Sequence, residues 1–95
     1  MVALETIVVR TGRILGANFG DETVLMSVEK GEYYALAATG RAIWARLETP
    51  VRVRDLCIAL AETYQAPLET IEIDTLEFLT YLEAQNLIES RPGQD

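Results

Sequence analysis

A chain of 95 residues with eight Lys and Arg against fifteen Asp and Glu carries a net charge of −7, and it has room for one domain with one modest core. That field repels polyanions, so nucleic acid is a poor partner, and the composition, 49% hydrophobic with six Gly and three Pro, is that of a folded globule. No apolar run approaches the roughly 20 residues that cross a bilayer, and the N-terminus lacks the basic-then-apolar order of a signal peptide, so the expectation is a cytoplasmic protein away from membranes.

The first third reads as strands. Thr6 to Arg10 (TIVVR) is rich in β-branched residues, Arg13 to Ala17 extends or follows it, and Gly12, Gly16 and Gly20 punctuate the stretch. Thr23 to Glu29 (TVLMSVE) and Glu32 to Leu36 (EYYAL) form a clearer pair, joined by Lys30-Gly31, where glycine supplies the positive φ of a tight hairpin turn. Tyr33 and Tyr34 then point to opposite faces, so only one belongs mainly to the core.

After Leu36 the period changes to that of helices. Thr39 is placed to cap a helix from about Gly40 to Leu47, with Ile43 and Leu47 on one face and Trp44 packing beside them. A second helix spans about Arg54 to Gln65, with Leu56, Ala59, Leu60, Thr63 and Tyr64 as its core-facing stripe, and Ala66-Pro67 stops it. Cys57 sits in this helix within an apolar run and reads as a buried, unreactive thiol.

The third helix is the longest, from Leu68 or Glu69 to Gln85. Leu68, Ile71, Thr75, Phe78, Leu79 and Leu82 share one sector, Asp74, Tyr81 and Gln85 flank it on one side, and Ile73, Leu76 and Ala84 lie toward the other. Apolar residues therefore exceed one packing face, which leaves a second contact surface along this helix. Leu87-Ile88-Glu89 adds a short extended piece. Residues 1–90 form the expected single domain and 91–95 a polar tail.

Chemistry is sparse. With no histidine and one cysteine, neither a zinc site nor a nucleophile-base pair can be assembled, and the phosphate-cradling glycine patterns are missing. Glu72, Asp74, Glu77 and Glu83 share a helix, which reads as a solvated face and not as paired acid and base. The expectation is a binding protein that is not an enzyme and holds no cofactor or metal.

Glu29 to Leu47 (EKGEYYALAATGRAIWARL), with VRDLCIALAETY and IDTLEFLTYLEAQNLI farther on, resembles the PqqD family, also called RiPP recognition elements. The shared pattern is an acidic-Gly turn, a Tyr-Tyr-x-Leu strand, a Thr-Gly pair and an Ile-Trp helix. Two departures are Ala37, where that family usually has Asn, and Asn86, where Gly commonly precedes the final Leu-Ile pair. The resemblance implies an α+β fold, a three-stranded antiparallel sheet followed by three helices in a winged helix-turn-helix arrangement. It further implies that the leader segment of a precursor peptide adds as a strand to Glu32, Tyr33, Tyr34, Ala35 and Leu36, its side chains entering a cleft beside the third helix. Asp74, Phe78 and Tyr81 are the contacts expected there, with Ile71 as cleft floor, although Phe78 also fits the core and Asp74 a solvated face. The expected partners are the precursor peptide and a maturation enzyme such as a leader peptidase or cyclase; a chain ending so soon after the recognition fold implies that the chemistry resides in other polypeptides, as in lasso-peptide systems. The competing readings are a winged-helix DNA-binding protein, disfavoured by a third helix carrying Glu69, Glu72, Asp74, Glu77 and Glu83 with no Lys or Arg, and a non-catalytic subunit of an enzyme complex.

Overall fold

The computed structural model describes residues 2–12 and 14–93. In chain order these form β1 (Ile7–Arg10), β2 (Ile14–Phe19), β3 (Glu22–Ser27), β4 (Glu32–Ala37), α1 (Ala38–Arg46), β5 (Val51–Arg52), α2 (Val53–Tyr64), α3 (Leu68–Ala84) and β6 (Ile88–Arg91). The expected start of the second strand at Arg13, and the tail residues Gln94 and Asp95, lie outside the described residues. Arg91, expected to open that tail, is the last residue of β6.

The fold is α+β, with an antiparallel sheet in the order β2-β3-β4 and three helices. Gly20 (φ 59°) turns β2 into β3, and Gly31 (φ 68°) closes the turn into β4, its N–H donating to the Ser27 carbonyl at 2.8 Å. Alternation then sorts the side chains. Gly16, Leu25 and Tyr34 form one cross-strand row on the inner face, and Asn18, Thr23 and Leu36 form the next. Leu25 is fully buried, and the Thr23 hydroxyl is satisfied by Asn18 Oδ1 at 2.7 Å.

A second antiparallel sheet, β5-β1-β6, was not foreseen. β1 pairs with β5 on one side (Ile7 with Arg52, Val8 with Val51) and with β6 on the other (Ile7 with Arg91 through Arg10 with Ile88). Arg10 links this sheet to α1: its Nε and Nη2 donate to the Trp44 carbonyl at 3.0 and 2.7 Å, and its guanidinium lies 4.8 Å from the Trp44 ring centroid.

The core runs between these layers. Val53, Leu56, Cys57 and Leu60 of α2 and Ile71, Thr75, Leu79 and Leu82 of α3 are buried, with Ile43, Trp44 and Leu47 from the α1 region. Four expectations fail at helix ends. Tyr64 and Leu68 are 44% and 41% exposed, and Thr63 is exposed too, because all three stand on either side of the Ala66-Pro67 turn, past the edge of the core. Thr63 instead satisfies its hydroxyl on the Ala59 carbonyl one turn back, at 2.9 Å. Helix α1 begins at Ala38, so Thr39 lies inside its first turn and does not precede it.

Two stability predictions follow from these helices. Burial holds the Cys57 thiol above its ordinary pKa, so a thiol reagent should label native protein only through opening and label unfolded protein at once; fast native labelling with unchanged circular dichroism would show that this helix face is misplaced. Gln65 closes α2 in the left-handed region (φ 50°, ψ 46°), a position that favours glycine. Gln65→Gly should therefore raise the unfolding free energy by about 0.5–1 kcal/mol, read from the urea midpoint at constant slope.

Candidate functional site

β4 is an edge: it pairs with β3 along Glu32 to Ala37, and no other strand among the described residues pairs with it. Alternate N–H and C=O groups along such a strand point away from the sheet and are open to a further strand. Beside this strand lies a cleft of about 400 Å3, lined by Ala35 and Leu36 of β4, by Thr39, Gly40 and Ile43 of α1, and by Ile71, Asp74, Thr75 and Phe78 of α3.

Each wall has a local cause. The β4 register places Leu36 on the inner face, while Ala35, on the outer face, leaves the strand rim low. On α3 the spacing of Ile71, Thr75 and Phe78 lines one side of the helix, with Asp74 at the solvent margin and the one charged group in the lining. Gly40 sets how near α1 and α3 approach. A Cβ built there would lie 3.3 Å from Phe78 Cζ and 3.9 Å from Leu36 Cβ, so a larger residue would crowd the ring that forms the cleft wall.

Of the residues singled out from sequence, Ala35, Leu36, Ile71, Asp74 and Phe78 meet in the cleft, and Glu32, Tyr33, Tyr34 and Tyr81 do not line it. Tyr33 is on the outer face and 70% exposed, whereas Tyr34 faces inward, half-buried. The Tyr34 hydroxyl lies 3.2 Å from Gln85 Oε1 and 3.4 Å from Glu32 Oε1, bridging β4 to the residue after α3. Tyr81 is a half-exposed electrostatic neighbour of that hydroxyl. Thr39, Gly40, Ile43 and Thr75 were not singled out as site residues; Ile43 was read as core, and the Thr-Gly pair after a strand was the available signal for two of the others.

The lining offers shape, apolar surface, two hydroxyls and one carboxylate, which suits binding. Among the described residues no group of three or more His, Cys, Asp or Glu is placed to hold a metal ion, and no helix is long and apolar enough to cross a membrane.

A family model described as coenzyme PQQ synthesis protein D (PqqD) matches residues 22–88. The fold is similar to a solved structure described as TbiB1 in complex with the TbiA(beta) leader peptide, with a TM-score of 0.79 and 31% identity over 85% of this chain and 94% of that one. Comparison with curated proteins gives no match.

Tyr34 supports a pH prediction. Burial, and then the Glu32 carboxylate, raise its phenol above the ordinary 10.0, so the folded state holds this proton more tightly than the unfolded chain. The associated stability is fully present below the unfolded pKa and is lost as pH rises through the folded one. Urea midpoints from about pH 8 to about pH 11 should fall more steeply for the wild type than for Tyr34→Phe. Parallel curves would show that the hydroxyl has no such role.

Proposed function

The chain belongs to the PqqD family, and from that premise we propose that it binds the leader segment of a ribosomally made precursor peptide as an added strand on β4. It then presents the peptide to separate maturation enzymes, a leader peptidase and a cyclase of the lasso-peptide kind, and does no chemistry itself. The observation that carries this reading is the open edge of β4 running beside an apolar cleft of about 400 Å3. Strand addition draws affinity from main-chain hydrogen bonds that any extended peptide can supply, and selectivity from the pockets that alternate side chains enter. That the similar TbiB1 structure is a complex with a leader peptide supports leader binding here. The setting is the cytoplasm, where precursor peptides are made.

Within the cleft, Leu36, Ile71 and Phe78 supply the apolar surface, and Asp74 at its margin favours a polar or cationic side chain of the leader. Tyr33, Tyr34 and Glu32 act through the strand that receives the peptide, and Tyr81 extends the contact along α3.

Synthetic peptides covering the N-terminal leader of a precursor encoded beside this gene provide the test. Truncating a central aromatic at an interface costs about 2 kcal/mol or more, so Phe78→Ala should weaken binding by at least roughly tenfold in calorimetry. Phe78 is half-buried, so thermal melts must accompany it, and the more exposed Asp74→Ala and Tyr81→Ala are the cleaner probes. Unchanged affinity in both, with amide shifts that map neither to β4 nor to the lining of the cleft, would place the site elsewhere.

A further inference from the structure

The first sheet has another edge, and it is built differently. β2 ends the β2-β3-β4 order on the side away from the cleft, and every residue from Leu15 to Phe19 is exposed. Open edges recruit other strands unless guarded by a charge, a proline or a bulge. Arg52 guards β5, and Glu89 and Arg91 guard β6, while β4 is the open edge beside the cleft. β2 reads ILGANF, without charge or proline, and pairs with β3 in an unbroken register that leaves no bulge.

The strand is also close to self-complementary. Leu15, Ala17 and Phe19 share the outer face, where Leu15 and Phe19 are 59% and 65% exposed. Directly opposed residues of an antiparallel pair lie on the same face. A two-fold axis through Ala17 therefore sets Leu15 of each copy against Phe19 of the other, and Gly16 against Asn18. Charge permits the approach on this side. A chain of net charge −7 resists meeting itself, but β2 is uncharged and the groove beneath it is flanked by Arg10 and Arg41.

We infer that β2 is a self-association edge, on which two copies pair antiparallel about Ala17 to form one continuous six-stranded sheet. The occupant is a second copy of this chain because the edge matches its own inverted sequence and carries no charge to attract another partner. The interface is isologous and small, so the association is reversible and concentration-dependent. β2 lies outside the residues 22–88 that the family model matches, and pairing there leaves both β4 edges free at the far ends of the joined sheet.

Sedimentation of the full chain, over about two decades of concentration up to roughly 1 mM, should show a monomer-dimer equilibrium. Ala17→Lys and Ala17→Glu each set like charges opposite one another on the axis, and each alone should raise the dimer dissociation constant at least about tenfold. Ala17 is exposed, so circular dichroism should be unchanged. An equimolar mixture of the two variants should restore the dimer, which a general loss of structure would not. A wild type that stays monomeric throughout, a dimer that survives both substitutions, or a mixture that fails to recover would each overturn the inference. Amide shifts at Leu15 to Phe19 when leader peptide meets dilute, monomeric protein would give the edge to the peptide instead. Leader affinity measured on Ala17→Lys keeps this test apart from the reading of β4, which is unaffected by every outcome of the sedimentation series.

Discussion

The pairing of β1 with two partners at once is the constraint on which the arrangement of the helices depends. Four residues near the N-terminus hold β5, which runs straight into α2, and β6, which follows α3. Further bonds reinforce these joints: the Val53 and Arg54 N–H groups at the start of α2 donate to the Thr6 and Leu4 carbonyls at 2.9 and 2.8 Å, and the Thr11 N–H donates to Leu87 at 3.1 Å. Val8, Leu87 and Ile88 bury their side chains at the centre of the joint. Anchored this way at one end, α3 cannot swing away from β4 without breaking a sheet, so the width of the cleft is set from the opposite side of the molecule.

The same strand reaches the other cleft wall through one side chain. Arg10 places its charge at the C-terminal end of α1, where the last carbonyls concentrate partial negative charge, and stacks on Trp44, the one aromatic of that helix. Its own N–H donates to the Leu47 carbonyl at 3.0 Å. Both walls of the cleft thus hang from β1, although no residue of β1 lines the cleft.

How much of this could be read from the sequence follows from the range of the interactions involved. The β3-β4 hairpin was legible because its turn chemistry and alternation are local, and the ends of α2 and α3 because Ala66-Pro67 interrupts the helical period. Of the second sheet, Thr6 to Arg10 and Leu87 to Glu89 were legible as extended pieces, but their pairing and the two-residue β5 were not, since the strands meet across most of the chain. Helical period also overstated burial for Tyr64 and Leu68, because period gives direction around an axis and says nothing of where along the axis the core ends. In the cleft, the α3 residues and β4 were accessible as stripe and strand. The contribution of α1 was marked only by its Thr-Gly pair, because Gly40 acts through the side chain it lacks.

The junction between β4 and α1 has no loop: Ala37 ends the strand and Ala38, at φ 50°, opens the helix. An alanine in the left-handed region is held there by its surroundings at a local energetic cost, since the conformation excludes most of what a free chain would sample. The open edge of β4 and one wall of the cleft are consequently a single stiff corner. A peptide docking there would spend its ordering entropy on its own backbone and almost none on the receptor's, the condition under which modest contacts yield tight complexes.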